Sequence, residues 1–171
     1  MPALVVMGVS GCGKSSLGAA AAQALGWPLI EGDDFHPPVN KAKMVAGQPL
    51  DDADRAGWLD LLGQQLQAQA SGAVLTCSAL KRAYRERLRG VAPGLRFAFL
   101  DLDPATAQVR VAGRPSHFFS PTLVSSQFAT LEVPTGEPGV LRLDATLPLA
   151  ALTEAAVAFA LLPPASLQDL P

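Results

Sequence analysis

Charge is scarce in this sequence. Thirteen basic and 15 acidic residues leave a formal net charge of −2 over 171 residues. That balance gives no electrostatic reason to expect nucleic acid or an acidic membrane as partner, so a small anion would have to be held by a local site. Cysteine is scarcer still. Cys12 and Cys77 lie far apart and form no CxxC or Cys/His spacing, which points away from zinc and suits reduced thiols in a cytoplasmic protein. Long apolar runs are missing too. The opening MPALVVMGVSG lacks a basic flank and a cleavage signal and reads as a buried strand. AAVAFALLPPASLQ, near the other end, is too short to span a bilayer and holds Pro163 and Pro164. With no internal repeat, no linker and 49% apolar residues, residues 1–171 read as a single domain with a sizeable core.

Short apolar runs alternate with helical patterns. ALVVMG (3–8), Pro28 to Glu31, AVLTC (73–77), RFAFLDL (96–102) and VLRLD (140–144) are the expected strands. Helices are expected from Lys14 to Leu25, over 51–70, from Lys81 to Arg89, from Pro104, from Ser120 and from Pro148 to Leu162. In the second of these, Trp58, Leu61, Leu62 and Leu66 form one apolar face. This order predicts an α/β fold, a parallel sheet covered on both faces, with ligands beyond the carboxyl ends of the strands.

GVSGCGKS, Gly8 to Ser15, matches G-x-x-x-x-G-K-[ST] between a buried strand and an alanine-rich helix. The glycines let successive N–H groups converge on phosphate oxygens, and the helix N-terminus adds positive potential. Lys14 is expected to reach the β- and γ-phosphates of ATP, and the Ser15 hydroxyl to ligate Mg2+. Gly8, Val9, Ser10, Gly11, Cys12, Gly13, Lys14, Ser15 and Ser16 are therefore the expected nucleotide contacts. Cys12 is a reactive thiolate in one reading and a small filler in the other.

Such a loop serves kinases, GTPase-like switches and ATP-driven machines. The third strand has no acid at its end and no N-K-x-D segment appears; Asp101, ending the fourth strand, suits either a magnesium water or, with Asp103, carboxylates at a helix start. A kinase needs a group to accept the hydroxyl proton and cations for the transferring phosphoryl. EGDDFHPPVNKAKM (31–44) reads as a loop after the second strand, facing the phosphate loop. One of Asp33 and Asp34 suits the base and the other a magnesium-bound water, while His36 either packs or touches the acceptor. In DDADR, Asp51 or Asp52 suits a helix cap and Arg55 a carboxylate ligand. In SALKRAYRERLR most charge reads as a solvated face, with Lys81 and Arg85 expected to turn inward. Arg110 and Arg114, one turn apart, sit at the base of RPSHFFSP (114–121), an irregular aromatic segment suited to a lid over phosphates.

Together, GVSGCGKS, EGDDFHPPVNKAKMVAGQPLDDADRAGWL, CSALKRAYRERLR and HFFSPTLVSSQFATLEVP resemble the gluconokinases of the GntK type, kinases akin to shikimate and adenylate kinases. The resemblance covers about Leu4 to Pro134. It implies a three-layer P-loop NTPase fold with a five-stranded parallel sheet, a mobile lid over about 112–122, and a homodimer. It also implies transfer of the ATP γ-phosphoryl to the 6-hydroxyl of D-gluconate. By position it makes Asp34 the base, Asp33 a magnesium helper and Arg55 the partner of the acceptor carboxylate, aided by Lys81 and Arg85. Arg110 and Arg114 match the lid arginines, and His117 the histidine after them. Gly57 stands where the family commonly has proline, and Pro115 and Ser116 replace a lysine-glycine pair. A kinase for another small carboxylate polyol such as shikimate, and a regulator that only senses ATP, are the rival readings.

Overall fold

The computed structural model describes residues 2–114 and 122–163. Its centre is β1, Ala3–Met7, in which Leu4, Val5, Val6 and Met7 have no solvent exposure. A strand buried on both faces must be apolar at every position, which is why ALVVM shows no alternation. With β2 (Leu29–Glu31), β3 (Ala73–Thr76), β4 (Arg96–Asp101) and β5 (Val140–Asp144) it forms one wholly parallel sheet in the order β2-β3-β1-β4-β5.

The helices are α1 (Lys14–Leu25), α2 (Pro38–Val45), α3 (Asp52–Gln67), α4 (Arg82–Val91), α5 (Pro104–Ala112), α6 (Leu123–Thr130) and α7 (Leu149–Leu161). The step from β1 to β2 runs one way along the sheet and all later steps run the other way. Right-handed crossovers therefore set α1 on one face and α3, α4 and α5 on the other. The observed packing of α1 on α7 and of α3 on α4 fits that division. The chain reverses direction about β1, so the crevice between β1 and β3 at their carboxyl ends is where a ligand site is expected.

The expected strands and helices all recur, with ends moved by a residue or a few. The difference lies in EGDDFHPPVNKAKM, which is not a loop. Gly32–Phe35 is a 3-10 turn, and α2 follows with Pro38 at its first position, where the missing N–H costs no hydrogen bond. The buried stripe of α3 is Trp58, Leu59, Leu62 and Leu66, with Leu61 turned outward. Asp51 caps α3 through a reciprocal pair with Asp54, and Asp103 caps α5 through the Thr106 N–H. Asp101 instead pairs with Arg142 of β5. Arg96 is an unanticipated buried cation. Its guanidinium donates to the carbonyls of Phe159, Ala160 and Leu162, which satisfies the C-terminal end of α7. No helix among the described residues is long and apolar enough to cross a membrane.

Candidate active site

The phosphate loop joins β1 to α1. Gly8 adopts φ +146°, and a Cβ there would lie 2.8 Å from both Cys12 Sγ and the Leu100 carbonyl oxygen. The loop thus needs glycine at that point for lack of space as well as for its torsion. Cys12 is 1% exposed and packs behind the loop, as the filler reading expects. Lys14 crosses the loop, donating from Nζ to the Val9 carbonyl at 3.1 Å. Ser16 is exposed on the first turn of α1.

Ser15 is tied to β2. Its Oγ donates to Glu31 Oε2 at 3.1 Å, and Thr76 Oγ1 of β3 donates to the same oxygen at 2.6 Å. Glu31 was not singled out in the sequence, where it looks like an ordinary strand end. The next residue, Gly32, fixes the turn. Its N–H donates to Thr76 Oγ1 at 3.2 Å, its carbonyl accepts from Trp58 Nε1 at 2.8 Å, and a Cβ would meet the Thr76 carbonyl oxygen at 2.1 Å.

That seating points Asp33 into a cleft at the carboxyl end of the sheet. Ser10, Lys14, Asp33, His36, Arg55, Trp58, Ser78 and Gln127 line it, with Met44, Pro49, Leu50 and Leu123 as apolar wall. The Asp33 side chain is 64% exposed toward the cleft mouth. Crowding by the cleft walls acts to raise its pKa, but His36, whose Nε2 lies 3.6 Å away, and the charges of Lys14 and Lys41 outweigh this and hold it below the usual value. His36 is buried and stacked on Trp58, with ring centroids 4.1 Å apart, and its Nδ1 has no hydrogen-bond partner among the described residues.

Arg55 is 8% exposed. Its Nη1 donates to Tyr84 Oη at 3.3 Å, and among the described residues it has no carboxylate within ion-pair distance. A buried cation without a counter-ion, facing a cleft, is a site prepared for an anion. Gln127 of α6 closes the cleft from the other side, accepting the Ser10 N–H at 2.7 Å.

Other expected residues stand elsewhere. Asp34 is exposed and does not line the cleft, although its neighbour does. Lys81 is outside the lining and pairs with Asp52 at 2.9 Å. Arg85 corrects the sequence reading. It is turned inward but wholly buried in the frame, held by both Glu137 oxygens and by the carbonyls of Ala79, Leu80 and Glu132, so its donors are spent within the fold. Arg110 donates to the carbonyls of Gly11 and Ala145, both at 3.3 Å, bridging the phosphate loop and the turn after β5. Arg114 is exposed at the end of α5. His117 and most of the expected lid lie outside the described residues.

With this geometry in hand, the comparisons are specific. A model of the AAA domain matches residues 4–131. A gluconokinase of Gluconobacter oxydans is 50% identical over 144 residues, covering 82% of this chain and 81% of that protein. The thermosensitive gluconokinase of Escherichia coli is 39% identical over 154 residues, covering 88% and 82%. The crystal structure of a gluconokinase from Sinorhizobium meliloti superposes with a TM-score of 0.85 at 46% identity, covering 93% of this chain and 91% of that one. Several relatives, spanning most of their own lengths, thus carry one name, and this chain belongs to the gluconokinase family of P-loop kinases.

Proposed function

We propose that this protein transfers the γ-phosphoryl group of ATP to the 6-hydroxyl of D-gluconate, giving 6-phospho-D-gluconate and ADP. The observation that carries the acceptor is Arg55, a buried guanidinium without a carboxylate partner among the described residues, in the wall of a cleft that also holds Lys14 and Asp33. Gluconate offers a carboxylate to Arg55 at one end and a hydroxyl to Asp33 at the other.

Asp33 is the better-placed base than Asp34, because it lines the cleft and Asp34 does not. It orients the hydroxyl and takes its proton as the oxygen–phosphorus bond forms. The Gly8–Ser15 backbone cradles the phosphates, and Lys14 meets the charge on the transferring group. Arg110 and Arg114 add cations from the nucleotide side. His36 and Trp58 form one flat wall against which the acceptor's carbon chain can lie.

The residues present also fit Mg2+. Ser15 Oγ and the Glu31 carboxylate form a hard oxygen pair at the loop, 3.1 Å apart, and a phosphate-bound Mg2+ needs few protein ligands. Ser15 would bind the ion and Glu31 one of its waters, and the bound ion neutralises phosphate charge.

The test is ADP release by the purified protein with ATP and Mg2+ and a panel of sugar acids, with the product identified by mass. D-gluconate is expected to stimulate release and to gain one phosphate. Stimulation by shikimate alone would replace the acceptor, and no stimulation by any acid would leave a nucleotide-binding regulator.

A further inference from the structure

Arg55 does not stand alone. It belongs to a chain of four side chains that joins the first turns of α3 and α4. Asp52 and Arg55 are three residues apart on α3. Lys81 and Tyr84 are three apart at the start of α4. Tyr84 Oη donates to Asp52 Oδ1 and accepts from Arg55 Nη1, while Lys81 Nζ donates to Asp52 Oδ1 at 2.9 Å. The Arg55 guanidinium also lies 5.6 Å from the centre of the Tyr84 ring, in cation–π range.

We propose that Tyr84 is a positioning residue for the acceptor, fixing Arg55 through a neutral hydroxyl and so leaving its charge available to the acceptor's carboxylate. This rests on the reading of Arg55 as the carboxylate anchor. The physical case is a comparison of two ways to hold a buried arginine. A carboxylate in direct contact would orient it but also neutralise it, and an incoming anion would then have to compete with a buried ion pair. A phenol orients it by a hydrogen bond and a ring face and brings no charge. Here the nearby carboxylate, Asp52, is kept one group away. Its charge faces solvent and Lys81, with 68% of its side chain exposed. Burial, and then the bond to Asp52, raise the Tyr84 pKa, so the hydroxyl keeps the proton it donates and a lone pair for Arg55.

Steady-state kinetics of Tyr84→Phe test this, with D-gluconate and ATP as substrates. The phenyl ring preserves packing and removes only the hydroxyl. The KM for D-gluconate is expected to rise about tenfold, the loss of one hydrogen bond to a charged group. The kcat should stay within about twofold and the KM for ATP should not change. Arg55→Ala should raise the gluconate KM further, and adding Tyr84→Phe to it should have no additional effect, because the hydroxyl acts through Arg55. Arg55→Gln serves the same cycle if the alanine variant does not fold. An unchanged gluconate KM in Tyr84→Phe, or the same fold increase in the Arg55 background, would overturn the proposal while leaving the anchor intact. An unchanged gluconate KM in Arg55→Ala would overturn the anchor itself.

Discussion

The Ser10 backbone N–H is held by the Gln127 side chain, 117 positions later in the chain, at 2.7 Å. Phosphate loops work by presenting free N–H groups, so in this conformation one seat of the cradle is taken by an uncharged oxygen from α6. The bond also fixes the amide's orientation: Oε1 faces the loop and the NH2 group is left for other partners. A γ-phosphate oxygen arriving at Ser10 has to displace Gln127, and α6, which follows the expected lid, would feel that exchange. Gln127→Leu is expected to tighten binding of a non-hydrolysable ATP analogue by up to about fivefold, the net worth of one competing hydrogen bond. Calorimetric titration reads this directly. Weaker binding would mean that Gln127 shapes the loop and does not occupy a phosphate seat.

Asp33 and His36 give a prediction in pH. The carboxyl's folded pKa is lowered, with cleft crowding opposed by His36, Lys14 and Lys41. A lowered base stays ionised to lower pH, so the acid limb of kcat/KM should fall below the ordinary aspartate range. His36→Phe keeps an aromatic ring on Trp58 but removes the Nε2 contact to Asp33. One partner that lowers the pKa is then gone, and the acid limb should move to higher pH. A pH–rate profile of the two proteins checks this, and an unmoved limb would exclude Asp33 as the titrating base.

Much of this was legible in the sequence, for a physical reason. Strands buried on both faces and a glycine loop before a helix are local patterns, so β1, the phosphate loop and α1 could be read from Ala3 to Leu25 directly. Arg55 could be read as a carboxylate ligand because it lies one turn past a capping acid and its planar fork suits a carboxylate. What stayed hidden depends on partners far along the chain. Glu31 becomes notable only when Thr76 and Ser15 converge on it. Arg85 looked like a site residue because inward-turned arginines commonly serve ligands. Its true partner, Glu137, is 52 positions away. Asp33 and Asp34 are neighbours whose roles depend on one turn of 3-10 helix, which the two prolines disguised as a loop. His117 lies outside the described residues.

The Arg85–Glu137 pair predicts a stability phenotype without a substrate phenotype. Both side chains are buried, at 0% and 5% exposure, and Arg89 also reaches Glu137 at 3.2 Å. Removing one member of a buried pair leaves a charge unpaired and costs about 3–5 kcal/mol. Glu137→Ala should therefore lower the Tm by many degrees, while folded protein keeps its gluconate KM. The Glu137 pKa is lowered: burial raises it, and Arg85 and Arg89 more than offset that. A depressed carboxylate pKa stabilises the fold above the unfolded-state value of about 4.3 and loses that contribution as pH falls through the folded value. The pair's share of stability should thus vanish on acidification, so that the Tm difference between the wild type and Glu137→Ala narrows there. A raised gluconate KM in the folded variant would return Arg85 to the acceptor site.

Glu31 offers the sharpest test of the nucleotide end. One carboxylate oxygen accepts from both Ser15 and Thr76, which aims the Ser15 hydroxyl oxygen and keeps a negative charge beside it. Glu31→Gln preserves size and one carbonyl acceptor but removes the charge. If Glu31 only ties β2 to β3 and α1, the variant should lose stability and behave normally once folded. If it holds a water of a Ser15-bound Mg2+, the folded variant should need more Mg2+ for half-maximal rate. A loss of one charge-assisted contact of about 1.5–3 kcal/mol corresponds to a shift of roughly ten- to a hundredfold. Its affinity for ADP without Mg2+ should stay the same, since Lys14 and the loop N–H groups are untouched. Titrating Mg2+ at fixed ATP and D-gluconate separates the two outcomes, and an unshifted midpoint would assign Glu31 to the frame alone.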